Sequence, residues 1–195
     1  MTLAVLSTYL DDGRLPWPPR TLPENVNQAL NRYRQERNDQ FENDCYNALS
    51  IPGLIVRKKI RPRKAKHLGI DSLSGEIDLL CINPAQSHIW VIEAKDPYIP
   101  FSAHRIRQLI EDFHQPGGYV DTLLHKVEDI QRNIPSLTSS LNITQPDKDW
   151  HVRGLLVTRT TNPAAFKPNS SVPFSNLAEL RSVILPEERC GEDRG

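Results

Sequence analysis

Two short apolar segments, separated by a four-residue turn, constrain the fold of this chain more than any other feature. Residues 75–82 read Gly-Glu-Ile-Asp-Leu-Leu-Cys-Ile, and residues 88–95 read His-Ile-Trp-Val-Ile-Glu-Ala-Lys. Runs of β-branched and large apolar residues are typical of strands. A turn of Pro-Ala-Gln-Ser at residues 84–87 would join the two as a β-hairpin. In that register Asp78 lies directly opposite Glu93.

Both faces of this hairpin are largely apolar, since side chains alternate between the two faces of a strand. One face carries residues 77, 79 and 81 opposite residues 90, 92 and 94, and it holds no charge. The other face is apolar near the turn and charged in its far half, which holds Glu76, Asp78, Glu93 and Lys95. Strands that are apolar on both faces are normally covered on both sides. We therefore expect the charges to cluster at one end of a sandwiched sheet, where a cleft can open.

Asp78 and Glu93 are like charges that would repel each other across the strand pair. Because buried carboxylates need a partner, we expect something positive between them. The Lys95 ammonium, two residues beyond Glu93 on the same face, is one candidate, and a divalent metal ion is the other. This expectation depends on register, because a slip of one residue would send the two carboxylates to opposite faces.

The pattern Ile77-Asp78 followed by Glu93-Ala94-Lys95 resembles the PD-(D/E)xK nuclease superfamily, the restriction-endonuclease-like phosphodiesterases. The chain has Ile where the superfamily's name has Pro, a frequent variation among divergent members. The resemblance implies an α/β fold with a central mixed β-sheet flanked by helices, in the order α-β-β-β-α-(α)-β. It also implies a Mg²⁺- or Mn²⁺-dependent nuclease, an endonuclease by preference, that hydrolyses phosphodiester bonds of nucleic acid. DNA is favoured over RNA as the substrate.

The resemblance also assigns roles to particular residues. Asp78, Glu93 and the backbone carbonyl of Ala94 would hold the metal ion, and Lys95 would position the attacking water. Many members of the superfamily add an acid from the first helix. Glu42 is the best candidate for that acid here, binding the metal through water.

A basic segment over residues 57–66 contains seven positive residues and no acid, although the whole chain balances 24 basic against 24 acidic residues. A local positive stripe on a mildly acidic body can steer a polyanion. Lys and Arg can contact phosphates without reading the base sequence. We therefore predict nucleic-acid contacts from this stripe and from the helix after the hairpin, at Arg57, Lys58, Lys59, Arg61, Arg63, Lys64, Lys66 and Gln108.

The pattern of breaks predicts one domain over residues 23–185, between an irregular proline-rich arm (1–22) and a charged, flexible tail (186–195). Within the domain, apolar periodicity and turn residues place the remaining elements. The predicted helices are 23–50, 102–114, 120–133 and 175–183, the further strands are 54–60 and 152–158, and the longest polar loops are 61–74, 134–149 and 161–173.

The cysteines and the hydropathy pattern indicate where in the cell the protein is expected. Cys45, Cys81 and Cys190 fit neither a zinc-binding spacing nor a disulfide framework, so we expect a reducing, cytoplasmic setting. No stretch of the sequence is apolar enough to span a bilayer, and no membrane partner is predicted. A homodimer and an association with a larger machine both stay open.

Other functions and roles stay open from the sequence. The chain could be a non-catalytic nucleic-acid-binding module on the same fold, or a protein-interaction domain. The hairpin charges could belong to a surface hairpin with a cross-strand salt bridge, such as Glu76 to Lys95. Glu42 could be an ordinary solvated helix residue, and the basic stripe a solvated strand edge that discourages aggregation.

Overall fold

The computed structural model describes residues 22–97, 102–143 and 149–186. The predicted arm and tail lie outside the described residues, except for Leu22 and Pro186. In the described part, five strands form one mixed sheet that helices flank. The predicted α/β class, with a mixed sheet between helices, is confirmed.

The elements are numbered here in chain order. The strands are β1 (Ile55–Ile60), β2 (Ile77–Asn83), β3 (His88–Lys95), β4 (His151–Thr158) and β5 (Phe174–Asn176). The helices are α1 (Glu24–Leu49), α2 (Pro62–Ala65), α3 (Ala103–His114), α4 (Tyr119–Arg132), α5 (Ile134–Ser140) and α6 (Leu180–Ile184). Among the described residues, 3₁₀ turns also cover Lys66–Leu68 and Pro163–Phe166.

The sheet follows the chain, with the strand order β1-β2-β3-β4-β5. Strands β1, β2 and β3 pair antiparallel, whereas β3, β4 and β5 pair parallel. A parallel pair needs a long crossover connection. Helices α3, α4 and α5 lie in the crossover from β3 to β4.

The hairpin of β2 and β3 has the predicted register. Asn83 pairs with His88 and Leu79 pairs with Ile92, so residues 84–87 form the turn. This pairing ends one residue short of Asp78 and Glu93. The predicted register therefore brings the two acids to the same end of the hairpin, next to its last pair.

The hairpin is covered on both faces, as predicted. All seven residues of β2 are buried. One core lies between the sheet and α1 with α6, and it includes Phe41, Cys45, Leu79, Cys81, Ile92 and Leu180. The other lies between the sheet and helices α3 and α4, and it includes Leu80, Ile82, Val91, Phe113, Leu123 and Ile130.

Ile77 departs from the predicted alternation. We expected it on the uncharged face with Leu79, but it packs in the core under α3 and α4, as does its cross-strand partner Ile60. Lys59 lies between the pairs that β1 makes at Lys58 and Ile60, and its φ of 53° is left-handed, which is uncommon for a residue with a side chain. The alternation of β1 breaks at this residue, and the paired Ile60 and Ile77 both lie in the opposite core.

Other differences from the predicted elements are local. Helix α5 forms in the predicted 134–149 loop, where Pro135 occupies the first turn and needs no hydrogen-bond acceptor, and Leu137 is fully buried. The predicted 61–74 loop contains α2, which also has a proline in its first turn. The predicted helix over 175–183 is wrong at its start, because residues 174–176 extend the sheet beside β4. The helix predicted over 102–114 forms at 103–114, and Ser102 caps it, since its hydroxyl accepts from the Arg105 amide at 3.4 Å.

Candidate active site

The charged end of the hairpin brings two carboxylates onto one ammonium. Asp78 and Glu93 are 9% and 5% exposed. The Lys95 Nζ lies 3.2 Å from Asp78 Oδ2 and 3.1 Å from Glu93 Oε2. Of the two positive groups expected between the acids, the lysine ammonium lies there, and the carboxylates project into one shared space.

The backbone of β3 also holds the Asp78 carboxylate. The pairing of β2 with β3 ends at Leu79 and Ile92. Beyond that pair, the Ala94 amide donates to Asp78 Oδ2 at 3.0 Å. Asp78 thus has a fixed orientation at the point where the strands part.

A second lysine, Lys126 of α4, completes the cluster and was not predicted. Its Nζ donates to Glu93 Oε1 and to the Glu76 carbonyl oxygen, both at 2.5 Å, and its side chain is buried. Each oxygen of Glu93 therefore faces an ammonium. Helical spacing in the sequence could have indicated that Lys126 faces the core, because residue 126 lies on the buried stripe of α4 with Leu123 and Ile130.

Lys95 is held in its charged form. Burial by itself would lower its pKa, but the neighbouring Glu93 and Asp78 carboxylates outweigh burial and raise the pKa of Lys95 above its ordinary value. The side chain is therefore an ammonium near neutral pH. It can donate hydrogen bonds and offset negative charge.

Glu42 reaches the same region from α1. Its Oε2 is buried without a hydrogen-bond donor among the described residues. The Lys59 ammonium lies 3.4 Å away, and it donates its hydrogen bond to Asp39 at 2.5 Å. Burial, and next the negative charge of Asp78, raise the pKa of Glu42. Glu42 is thus not a solvated helix residue, and it lies close enough to Asp78 to sense its charge.

A row of polar residues on α4 holds the loop that leads into β2. Asp129 accepts from the Ser74 amide at 2.6 Å, and Asn133 accepts from the Asp71 amide at 3.2 Å. With Lys126, these residues recur at helical spacing inside an otherwise apolar face. They fix where β2 begins, and so where Asp78 lies.

Ion pairs with a buried aspartate hold the end of β3, just after Lys95. The residue after Lys95 is Asp96, whose side chain is 5% exposed. The Nε atoms of Arg37 and Arg159 each lie 2.9 Å from Asp96 Oδ2. This contact ties the end of β3 to α1 and to the end of β4.

A cleft of about 580 Å³ opens at the charged end of the sheet, as predicted. The turn between α3 and α4 forms its far wall, and a side chain at Gly118 would come within 2.7 Å of the Asp112 carbonyl oxygen. The Lys95 Nζ lies 5.6 Å from the centre of the Tyr119 ring. The cleft is lined by Glu93, Lys95, Asp112, Gln115, Gly117, Gly118, Tyr119, Thr122 and Lys126.

The donor atoms of this region suit a hard cation. Mg²⁺ is commonly bound by one or two carboxylates with water and substrate oxygens. Asp78 and Glu93 supply two such carboxylates, and the Lys95 and Lys126 ammoniums already contact their oxygens. Within the described ranges, no group of three or more His, Cys, Asp and Glu side chains could hold a metal ion. A metal here would therefore depend on main-chain and external oxygens as well.

The predicted basic stripe divides into paired and unpaired residues. Lys58 donates to Asn43, Lys59 to Asp39, and Arg61 to Glu76. The Glu76 side chain therefore pairs with Arg61, and the surface salt bridge from Glu76 to Lys95 is not observed. Besides Lys58, whose partner is a neutral amide, four exposed residues have no ion-pair partner in the described part of the chain, namely Arg57, Arg63, Lys64 and Lys66.

The remaining predicted contact residue lies away from the cleft. Gln108 accepts from Arg105 on the surface of α3 and does not line the cleft. Cys45 and Cys81 are buried free thiols, and Cys190 lies outside the described residues. Among the described helices, none has the length and apolar character to cross a membrane.

The site therefore combines two acids, two ammoniums and an exposed cleft from three elements of the fold. β2 supplies Asp78, β3 supplies Glu93 and Lys95, and α4 supplies Lys126. Comparisons with protein-family models, with curated proteins and with solved structures found no match to this chain.

Proposed function

We propose that the protein is a metal-dependent nuclease of the PD-(D/E)xK type, with a restriction-endonuclease-like fold, that hydrolyses phosphodiester bonds of nucleic acid. DNA is the favoured substrate. One observation carries this proposal. Asp78 and Glu93, on adjacent antiparallel strands, both contact the ammonium of Lys95, which lies two residues after Glu93.

Asp78, Glu93 and the Ala94 carbonyl would hold Mg²⁺ or Mn²⁺, and Glu42 would reach the ion through water. When bound, such an ion supplies charge relief to the phosphoryl oxygens and lowers the pKa of a water molecule. The fixed Asp78 carboxylate, held by the Ala94 amide, supports this role because a ligand for Mg²⁺ must keep strict geometry.

Lys95 would orient the attacking water and offset negative charge on the phosphate. Its ammonium can do both, because hydrogen bonds from a charged donor are stronger than neutral ones. In the absence of a metal, and despite burial, the neighbouring Glu93 and Asp78 carboxylates raise the pKa of Lys95 and so favour its charged form.

The unpaired cations at Arg63, Lys64 and Lys66 would contact the substrate backbone. They lie on α2 and the turn after it, in the segment that leads to the loop held by α4. Such contacts carry no base specificity and weaken with salt.

A cleavage assay tests this function. Purified protein is incubated with single-stranded, duplex and branched DNA and with RNA, in Mg²⁺ or Mn²⁺, with EDTA as the metal-free arm. We expect metal-dependent cleavage that Asp78→Asn and Lys95→Met both abolish. Asp71→Asn and Lys167→Met are matched controls, because both residues are exposed and do not line the site cleft. Full cleavage by both site variants would refute the assignment.

A non-catalytic nucleic-acid-binding module is the second candidate. What favours it is that Lys95 and Lys126 already pair with both oxygens of Glu93, so the charges are balanced without a metal. Under this alternative, the protein would bind nucleic acid in a salt-sensitive manner and cleave none of the substrates with either metal.

A further inference from the structure

The charges at the hairpin end balance before any metal is added. Asp78 and Glu93 contribute two negative charges, and Lys95 and Lys126 contribute two positive charges. The ammonium of Lys126 is the closer one to Glu93, at 2.5 Å from Oε1. A divalent ion at these carboxylates would therefore enter a set that is already neutral.

Lys126 is confined to this position. Its side chain is 6% exposed, and its Nζ donates to Glu93 and to the Glu76 carbonyl. The loop before β2 also passes over it, since a side-chain carbon at Gly75 would lie 3.1 Å from Lys126 Cε. Lys126 is thus held between this loop and the cleft that it lines.

We propose that Lys126 is a built-in counter-ion of Glu93 that competes with the divalent metal and makes metal binding dependent on the phosphates of the substrate. This inference rests on the proposed nuclease function. Mg²⁺ must approach a carboxylate oxygen to about 2.0–2.1 Å, which brings it close to the ammonium already on Glu93. The repulsion is strong in a buried site. A polyanion in the cleft restores the charge balance.

Titration calorimetry with Mn²⁺ tests this inference without any need for turnover. It compares wild type, Lys126→Met, Lys126→Gln and the charge-retaining control Lys126→Arg, each with and without a phosphorothioate DNA duplex that resists cleavage. Loss of a charged hydrogen bond to Glu93 corresponds to about tenfold or more in affinity. We expect both neutral variants to bind Mn²⁺ about tenfold more tightly than wild type without DNA, and the Arg variant to match wild type.

Comparing wild type with and without the duplex tests the inference without any variant. For wild type we expect the duplex to tighten Mn²⁺ binding by about tenfold or more, and by less in the neutral variants. Equal Mn²⁺ affinity of wild type with and without the duplex would overturn the inference even if the variants do not fold.

The outcomes separate this inference from the proposed function. If Asp78→Asn abolishes Mn²⁺ binding but neutral variants at Lys126 bind like wild type, the counter-ion role is wrong and the nuclease proposal stands. If no variant binds Mn²⁺ under any condition, both are wrong.

Discussion

Replacing Lys95 by Met should destabilise the protein through repulsion between two acids. Methionine keeps most of the volume of the lysine stem but removes the ammonium that Asp78 and Glu93 share. The two carboxylates, whose side chains are 12% and 7% exposed, would then face each other across the strand pair without it.

The geometry sets the size of this effect. Because the ammonium lies 3.2 Å from one carboxylate oxygen and 3.1 Å from the other, these oxygens are at most about 6.3 Å apart. Two unit charges at that distance repel by at least about 2.6 kcal/mol at an effective dielectric constant of about 20. Lys126 stays beside Glu93 and offsets part of this repulsion, so we expect Lys95→Met to lower the free energy of unfolding by about 1–2 kcal/mol.

Urea denaturation in EDTA measures this loss, followed by circular dichroism. Lys167→Met is the matched control and should change little, because Lys167 is exposed. Adding Asp78→Asn to Lys95→Met removes one of the two charges and should recover most of the lost stability. Such a recovery in a double-mutant cycle would identify repulsion as the cause.

The same variant reports on the metal site. Mn²⁺ at about one hundred times its Kd would stabilise the folded state by about 2.7 kcal/mol, and Lys95→Met should gain more than wild type because a competing ammonium is gone.

An unfolding midpoint of Lys95→Met equal to that of wild type in EDTA would refute the reasoning, since the two acids could not then repel each other in the folded protein.

Three further predictions concern other parts of the molecule. Removing the unpaired cations together, by substitution of Arg63, Lys64 and Lys66 with Ala, should reduce the slope of log affinity for duplex DNA against log salt by about 2 to 3, measured by fluorescence anisotropy. Burial raises the pKa of Cys45 and of Cys81 to about 12. In a Cys190→Ser variant, which keeps only these two thiols, the folded protein should therefore not react with a thiol reagent at pH 8. Both thiols should react in denaturant. Burial, and next the charge of Arg153, lower the pKa of His88 below 6.5. As the pH falls, His88 is therefore protonated in the unfolded chain before it is protonated in the folded protein. The free energy of unfolding should fall more in wild type than in His88→Gln between pH 7.5 and 5.5. An equal fall in both would contradict this.

Local sequence determined the hairpin and brought its acids to one end of it. The alternation of side chains and the short turn at residues 84–87 depend only on near neighbours, so the register and the two-sided burial of β2 and β3 could be predicted. The cap at Ser102 and the ends of α1 followed from the same kind of local signal. The break in alternation at Ile77 was not predicted; it coincides with the left-handed backbone of Lys59, next to the cross-strand partner Ile60.

Tertiary structure alone decided which cations meet the acids. Lys126 lies 33 residues from Glu93 in the chain, and the arginines that hold Asp96 lie 59 and 63 residues from it. No periodicity within a segment specifies such pairs, because they depend on how α4 and α1 pack on the sheet. The sequence by itself predicted two carboxylates that needed a positive partner. The packing of distant elements supplied the second lysine and the cleft, since only folding brings charges so far apart in the chain within hydrogen-bonding distance.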